Sequence, residues 1–257
     1  MSTPIFTGAG VALITPMNSD GSVNFDELGR LLEFQIENGT DAIIACGTTG
    51  EAATLSVEEH KAVLSYVAEK VNKRIPVIAG TGSNDTATAI SLSKSAQKYG
   101  ADGLLSVTPY YNKTSQAGLV KHFTTIADSV DLPIILYNVP SRTGCNMQPK
   151  TYAELEKHQN IVGVKEANGD ISSVSLTRSL CSDDFAIYSG NDDQTVPFMS
   201  LGGKGVISVF SNFCPKEMHE ICQACLDNDF QRAAEMNFHF VELMDIMFSD
   251  VNPIPVK

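Results

Sequence analysis

The sequence has no tryptophan and is short of cations: 18 lysines and arginines stand against 30 aspartates and glutamates in 257 residues, a formal charge of −12. It has no run of basic residues to track a phosphate backbone, and an acidic balance of this size argues against a nucleic-acid or anionic-membrane binder. No apolar stretch is long enough to cross a bilayer. The first 19 residues carry no charged side chain. They lack a basic opening segment, however, and Pro4, Gly8, Gly10 and Pro16 interrupt them, so no signal peptide is read and a cytoplasmic location is expected. The six cysteines are scattered, as free thiols are. Cys222-x-x-Cys225 has no second pair beside it, and the five histidines form no H-x-x-x-H pattern, so neither a metal nor a cofactor is expected.

What the sequence does contain is a rhythm. Short apolar runs recur at Val11–Ile14, Ala42–Ala45, Pro76–Ala79, Gly103–Val107, Pro133–Tyr137, Ile161–Lys165, Phe185–Tyr188 and Gly205–Val209. Between them lie stretches with helical spacing, such as Leu28, Leu31, Leu32 and Ile36, or Val63, Leu64, Val67 and Val71. Ser56 with Glu59 three residues on is a capping-box start. The runs are almost continuously apolar, as strands of a parallel sheet covered by helices are. Eight such units predict a (β/α)8 TIM barrel over residues 1–226. A doubly wound open sheet is the alternative, disfavoured because no glycine-rich dinucleotide turn follows the first run. Residues 229–249 read as a further helix, so 227–257 is expected to begin a C-terminal helical region.

Active sites of such barrels lie at the carboxyl ends of the strands. There the sequence offers Gly47-Thr-Thr-Gly-Glu51, Thr108-Pro-Tyr-Tyr111, Tyr137 to Arg142, and Lys165-Glu166. Alternation puts Ile161, Gly163 and Lys165 on one face and Val162 and Val164 on the other. With the valines toward the helices, Lys165 points into the barrel, and Gly163 leaves it room. An enclosed lysine loses hydration, which disfavours its ammonium form, and the neutral amine is the nucleophile that attacks a ketone. The plain alternative is a rim lysine paired with Glu166. Tyr137 shares the inward face and can move protons for such chemistry. Thr48 and Thr49 sit in a tight turn suited to a carboxylate. Gly202-Gly-Lys-Gly205 looks like a phosphate loop, but it precedes the last strand and is read as a helix stop. The acidic pair in Gly190-Asn-Asp-Asp193 argues against a phosphorylated substrate.

Gly47-Thr-Thr-Gly-Glu51, Thr108-Pro-Tyr-Tyr-Asn112, Tyr137-Asn-Val-Pro-Ser-Arg-Thr-Gly144, Gly163-Val-Lys-Glu-Ala167 and Gly205-Val-Ile-Ser-Val209 occur in that order. Together they resemble the pyruvate-dependent class I lyase family, and within it the dihydrodipicolinate synthase branch, from Gly8 to Lys257. The resemblance implies condensation of pyruvate with aspartate 4-semialdehyde through an imine on Lys165. Tyr137, Thr48 and Tyr111 match a proton relay in which Tyr111 is lent by a neighbouring subunit, so a homodimer or homotetramer is implied. Thr49 matches the pyruvate carboxylate site and Arg142 the semialdehyde carboxylate site. Gly190 and Ile207 match positions whose backbone carbonyls line the site. Branches that act on N-acetylneuraminate or keto-deoxy sugar acids generally lack an arginine at Arg142, and a guanidinium fork suits a small acid better than a neutral polyol. The family normally continues some tens of residues beyond Lys257. A catalytically impaired, truncated pyruvate-binding barrel is therefore the alternative from another class. In lysine-regulated relatives a histidine and a glutamate hold the inhibitor. His60, Asn84 and Tyr110 match that pattern, but Val57 and Thr88 stand at those two positions, so weak or absent lysine inhibition is expected.

Overall fold

The computed structural model describes residues 4–257. Eight strands, β1 (Gly8–Ala12), β2 (Ala42–Ala45), β3 (Val77–Gly80), β4 (Gly103–Val107), β5 (Ile134–Asn138), β6 (Ile161–Glu166), β7 (Ala186–Ser189) and β8 (Gly205–Ser208), close into one barrel in sequence order. Every neighbouring pair is parallel, including β1 with β8, which rules out the open sheet. The helices are α1 (Phe25–Glu37), α2 (Val57–Val71), α3 (Thr86–Tyr99), α4 (Gln116–Ala127), the short α5 (Pro140–Thr143), α6 (Pro149–Leu155), α7 (Ile171–Leu180), α8 (Thr195–Ser200), α9 (Pro215–Leu226) and α10 (Phe230–Ile246). The expected capping box opens α2, with Ser56 and Glu59 bonded reciprocally. Gly100 ends α3 in the left-handed conformation.

Two apolar layers follow from the strand period. Ile43, Leu104, Leu136, Val164 and Ile187 face the helices, whereas Ile44, Leu105, Ile135, Tyr137 and Tyr188 fill the barrel. The expected faces hold for Val164 and Lys165 but not for the start of β6. The β5–β6 register slips so that Ile134 pairs with Ile161 and Ile135 with Gly163. This slip sends Ile161 to the outer layer and Val162 to the inner one. β1 also begins earlier than its most apolar run, because Gly8 pairs with Gly205 to shut the barrel. A Cβ on Gly205 would stand against the Gly8 carbonyl oxygen, and Gly205 has a φ of +150°. Only glycine fits that seam.

Beyond the barrel, α10 packs on α9 and α8 and on the Asp192–Gln194 turn. The chain then returns to the carboxyl-end mouth, where Asn252 is buried. Among the described residues no helix is long and apolar enough to cross a membrane.

Candidate active site

Lys165, the penultimate residue of β6, lies directly opposite Tyr137 on β5. Its side chain is buried at 5% exposure, and Nζ lies 4.5 Å above the Tyr137 ring centroid. The tyrosine supplies an apolar floor whose negative ring face attracts an ammonium when one forms.

Glu166 does not pair with this lysine. The next residue on a strand faces the other way, and its carboxylate accepts the Tyr152 hydroxyl at 2.6 Å and the Asn138 amide at 2.9 and 3.1 Å. The Asn168 backbone N–H donates to the same group at 3.0 Å. Burial pushes the carboxyl up to about 7 against these donors, which pull the other way. Asn138 also receives the Met147 N–H at 3.0 Å. A polar knot thus sits behind the strand ends that carry Tyr137 and Lys165.

The room around Lys165 comes from a different glycine than expected. A Cβ on Gly163 would meet the Ala186 carbonyl oxygen of β7 at 2.3 Å, so that glycine serves strand packing. A Cβ on Gly190 would stand 3.2 Å from Lys165 Cε.

A cavity of about 170 Å³ collects Lys165, Tyr137, Thr48, Thr49, Arg142 and Gly190, with Val139, Ser141, Ala167, Asn191, Val209, Phe248 and Asn252 completing its wall. A second cavity of about 360 Å³ shares Thr48, Tyr137, Val139 and Arg142 and extends past Cys46, Val57, His60, Thr88 and Tyr110. Arg142 therefore stands between the two, on α5, where Pro140 opens the turn and Gly144 closes it. Its Nη2 donates to the Asn252 carbonyl at 3.3 Å.

Two of the expected site residues lie apart from this cavity. Ile207 is wholly buried in the inner barrel layer, and Val209 presents the β8 side of the wall. Tyr111 is 91% exposed, in a left-handed turn at φ 68°, and reaches none of the chain's own site residues. The acidic pair after β7 also divides. Asp193 is exposed, whereas Asp192 turns inward and accepts the Val209 and Phe210 N–H groups at 3.1 and 3.0 Å. Those two donors leave the strand at the β8 turn and need an acceptor. Burial raises the Asp192 carboxyl above its ordinary value. Cys222 and Cys225 are buried free thiols on α9.

Sequence reasoning missed Asn252, whose Nδ2 donates to Thr49 Oγ1 at 3.0 Å across 203 positions of sequence. It missed Phe248 for the same reason of distance. The outward Glu166 was signalled by the alternation that turned Lys165 inward.

Comparison with known proteins agrees with this architecture. A family profile described as the dihydrodipicolinate synthetase family matches residues 5–257. A 4-hydroxy-tetrahydrodipicolinate synthase of Acetivibrio thermocellus is 56% identical over 257 residues, covering 100% of this chain and 87% of that protein. The crystal structure of dihydrodipicolinate synthase from Aquifex aeolicus superposes with a TM-score of 0.96 at 46% identity, covering 98% of this chain and 86% of that one. The Acinetobacter baumannii dihydrodipicolinate synthase, solved in complex with pyruvate, gives 0.96 at 47% identity, covering 97% and 86%.

Proposed function

The chain belongs to the dihydrodipicolinate synthetase family, and from that premise we propose that it condenses pyruvate with L-aspartate 4-semialdehyde to 4-hydroxy-tetrahydrodipicolinate. This is a step of lysine and diaminopimelate biosynthesis and a class I, Schiff-base carbon–carbon reaction. The observation that carries the reading is a buried lysine amine over the Tyr137 ring, in a cavity whose wall also holds Thr48, Thr49 and Arg142.

In this reading the neutral Lys165 amine attacks the pyruvate ketone, and loss of water gives the imine. Removal of a methyl proton gives the enamine, whose carbon attacks the aldehyde. The amino group of the second substrate then attacks the imine carbon, closing the ring and releasing Lys165. Tyr137, Thr48 and the partner subunit's Tyr111 move the protons. Thr49 receives the pyruvate carboxylate and Arg142 that of the semialdehyde, while the backbone carbonyl of Gly190 faces the bound pyruvate. The working unit is at least a homodimer. Its support is the exposure of Tyr111, which stands clear of its own chain's cavity.

Borohydride reduction in the presence of pyruvate, followed by intact mass, tests the reading. One stable adduct is expected, and Lys165→Ala abolishes it. No adduct on the wild type, or one that survives the substitution, overturns the imine. Efficient cleavage of N-acetylneuraminate or keto-deoxygluconate would move the protein to another branch of the family.

A further inference from the structure

We propose that Asn252 is a positioning residue that couples the two carboxylate receivers, Thr49 and Arg142. The inference rests on the reading above that these two residues hold the acid ends of the two substrates.

Asn252 is 6% exposed and lines the smaller cavity. Its side-chain Nδ2 donates to Thr49 Oγ1 at 3.0 Å, and its backbone carbonyl accepts from Arg142 Nη2 at 3.3 Å. One residue therefore touches both receivers. The chemistry of each bond is directional. An amide N–H only donates, so Thr49 accepts through a lone pair and its hydroxyl proton remains free for an anion. The carbonyl occupies one guanidinium N–H and leaves the others of the fork open. An amide also adds no charge where two carboxylates arrive, whereas an aspartate of the same shape would repel both. The segment is held in place two residues beyond Thr49, where Lys257 Nζ pairs with Glu51. Fixing Thr49 and Arg142 from one residue sets the spacing between the two acids before either binds. Such preorganisation lowers the cost of seating the acid ends, pyruvate first.

The test compares Asn252→Ala, Asn252→Asp, Thr49→Val and the Thr49→Val/Asn252→Ala double variant in steady-state kinetics and thermal melting. Asn252→Ala is expected to raise the pyruvate KM about tenfold, the scale of one lost bond to a charged ligand, with kcat changed less than about threefold. Asn252→Asp, which keeps the shape but loses the donor, is expected to raise it further. On the Thr49→Val background Asn252→Ala is expected to add nothing to the pyruvate KM. Additive losses, a fall in kcat at unchanged KM, or an Asp variant that behaves as wild type would each overturn the proposal. If Asn252→Ala does not fold, Asn252→Leu, uncharged, similar in size and lacking the donor, carries the same comparison on both backgrounds. Borohydride trapping of the wild type separates the two levels. An adduct with unaltered KM values in the variants sinks the role of Asn252 alone, and no adduct sinks the underlying reading with it.

Discussion

Lys165 occupies the space that a side chain on Gly190 would take, with the lysine Cε 3.2 Å from where that Cβ would be. The same Cβ would lie 2.6 Å from Ala167 Cβ and 3.0 Å from the Glu166 carbonyl oxygen, so backbone and lysine must both give way. The lysine has to give by only a few tenths of an ångström, so Gly190→Ala is expected to slow imine formation about tenfold, less than the hundredfold of a misplacement of about 1 Å. Overpacking should cost only about 1–3 kcal/mol of stability. Stopped-flow trapping with pyruvate, beside a melting curve, checks both. A variant with wild-type trapping rates would mean that Lys165 does not depend on this gap.

Arg142 is exposed at the mouth and makes one long intramolecular bond, to Asn252. Arg142→Ala should therefore leave stability within about 0.5 kcal/mol. It should weaken use of the semialdehyde by about 1.5–3 kcal/mol, a ten- to hundredfold loss in kcat/KM, with pyruvate trapping little changed. Equal damage to both half-reactions would assign Arg142 to the scaffold.

Tyr111 stands clear of its own chain, so its role is open to complementation. Lys165→Ala and Tyr111→Phe are each expected to be nearly inactive. Mixed after dissociation and reassociated, they form hybrids with one intact site, and roughly a quarter of wild-type activity should return for statistical dimers. If each subunit used its own Tyr111, the mixture would show only the mean of its parents.

Glu166 carries a carboxyl held near 7 in the folded protein against an ordinary 4.5. Between those values the folded state keeps a proton that the unfolded chain releases. The stability tied to this group is fully present below pH 4.5 and is lost as pH rises through about 7, by about 3 kcal/mol at 1.4 per pKa unit. Glu166→Gln does not titrate and should flatten that part of the profile. Urea unfolding of both proteins at pH 5 and pH 8 is the measurement. Identical losses of stability would show that the titrating group lies elsewhere.

Lysine at millimolar concentration is expected to change initial rates less than about twofold. Val57 and Thr88 line the larger cavity beside His60. The His60 ring is tied to the Gly80 carbonyl at 2.9 Å, and burial lowers its pKa, which keeps it neutral. Neither an acidic partner for an ammonium nor a second imidazole is supplied there. A glutamate bond to an ammonium is worth about 1.5–3 kcal/mol, so its lack alone weakens binding ten- to hundredfold. Strong inhibition would point to groups outside this wall, and Val57→His with Thr88→Glu is expected to raise sensitivity.

The strand rhythm was legible because buried parallel strands leave little room for polar residues, and all eight runs overlap real strands. The start of β1 was hidden because glycines at Gly8 and Gly10 carry no hydropathy signal. The reversal of Ile161 and Val162 depends on how β5 pairs with β6, which no single strand records. At the site, Lys165 and Tyr137 were legible from alternation. Asn252 was not, since its partner Thr49 is 203 positions away and nothing local marks an asparagine that folds back.

The seam between Gly8 and Gly205 also governs how the polypeptide is born. While the ribosome is still adding residues, β1 has only one neighbour, and it gains its second when Gly205 has emerged and β8 can insert. Until then β1 and the newest strand are open margins of apolar sequence, of the kind that pairs with other chains. A stop codon before Gly205 would remove β8 whole and leave β1 and β7 each without the neighbour that closes the ring.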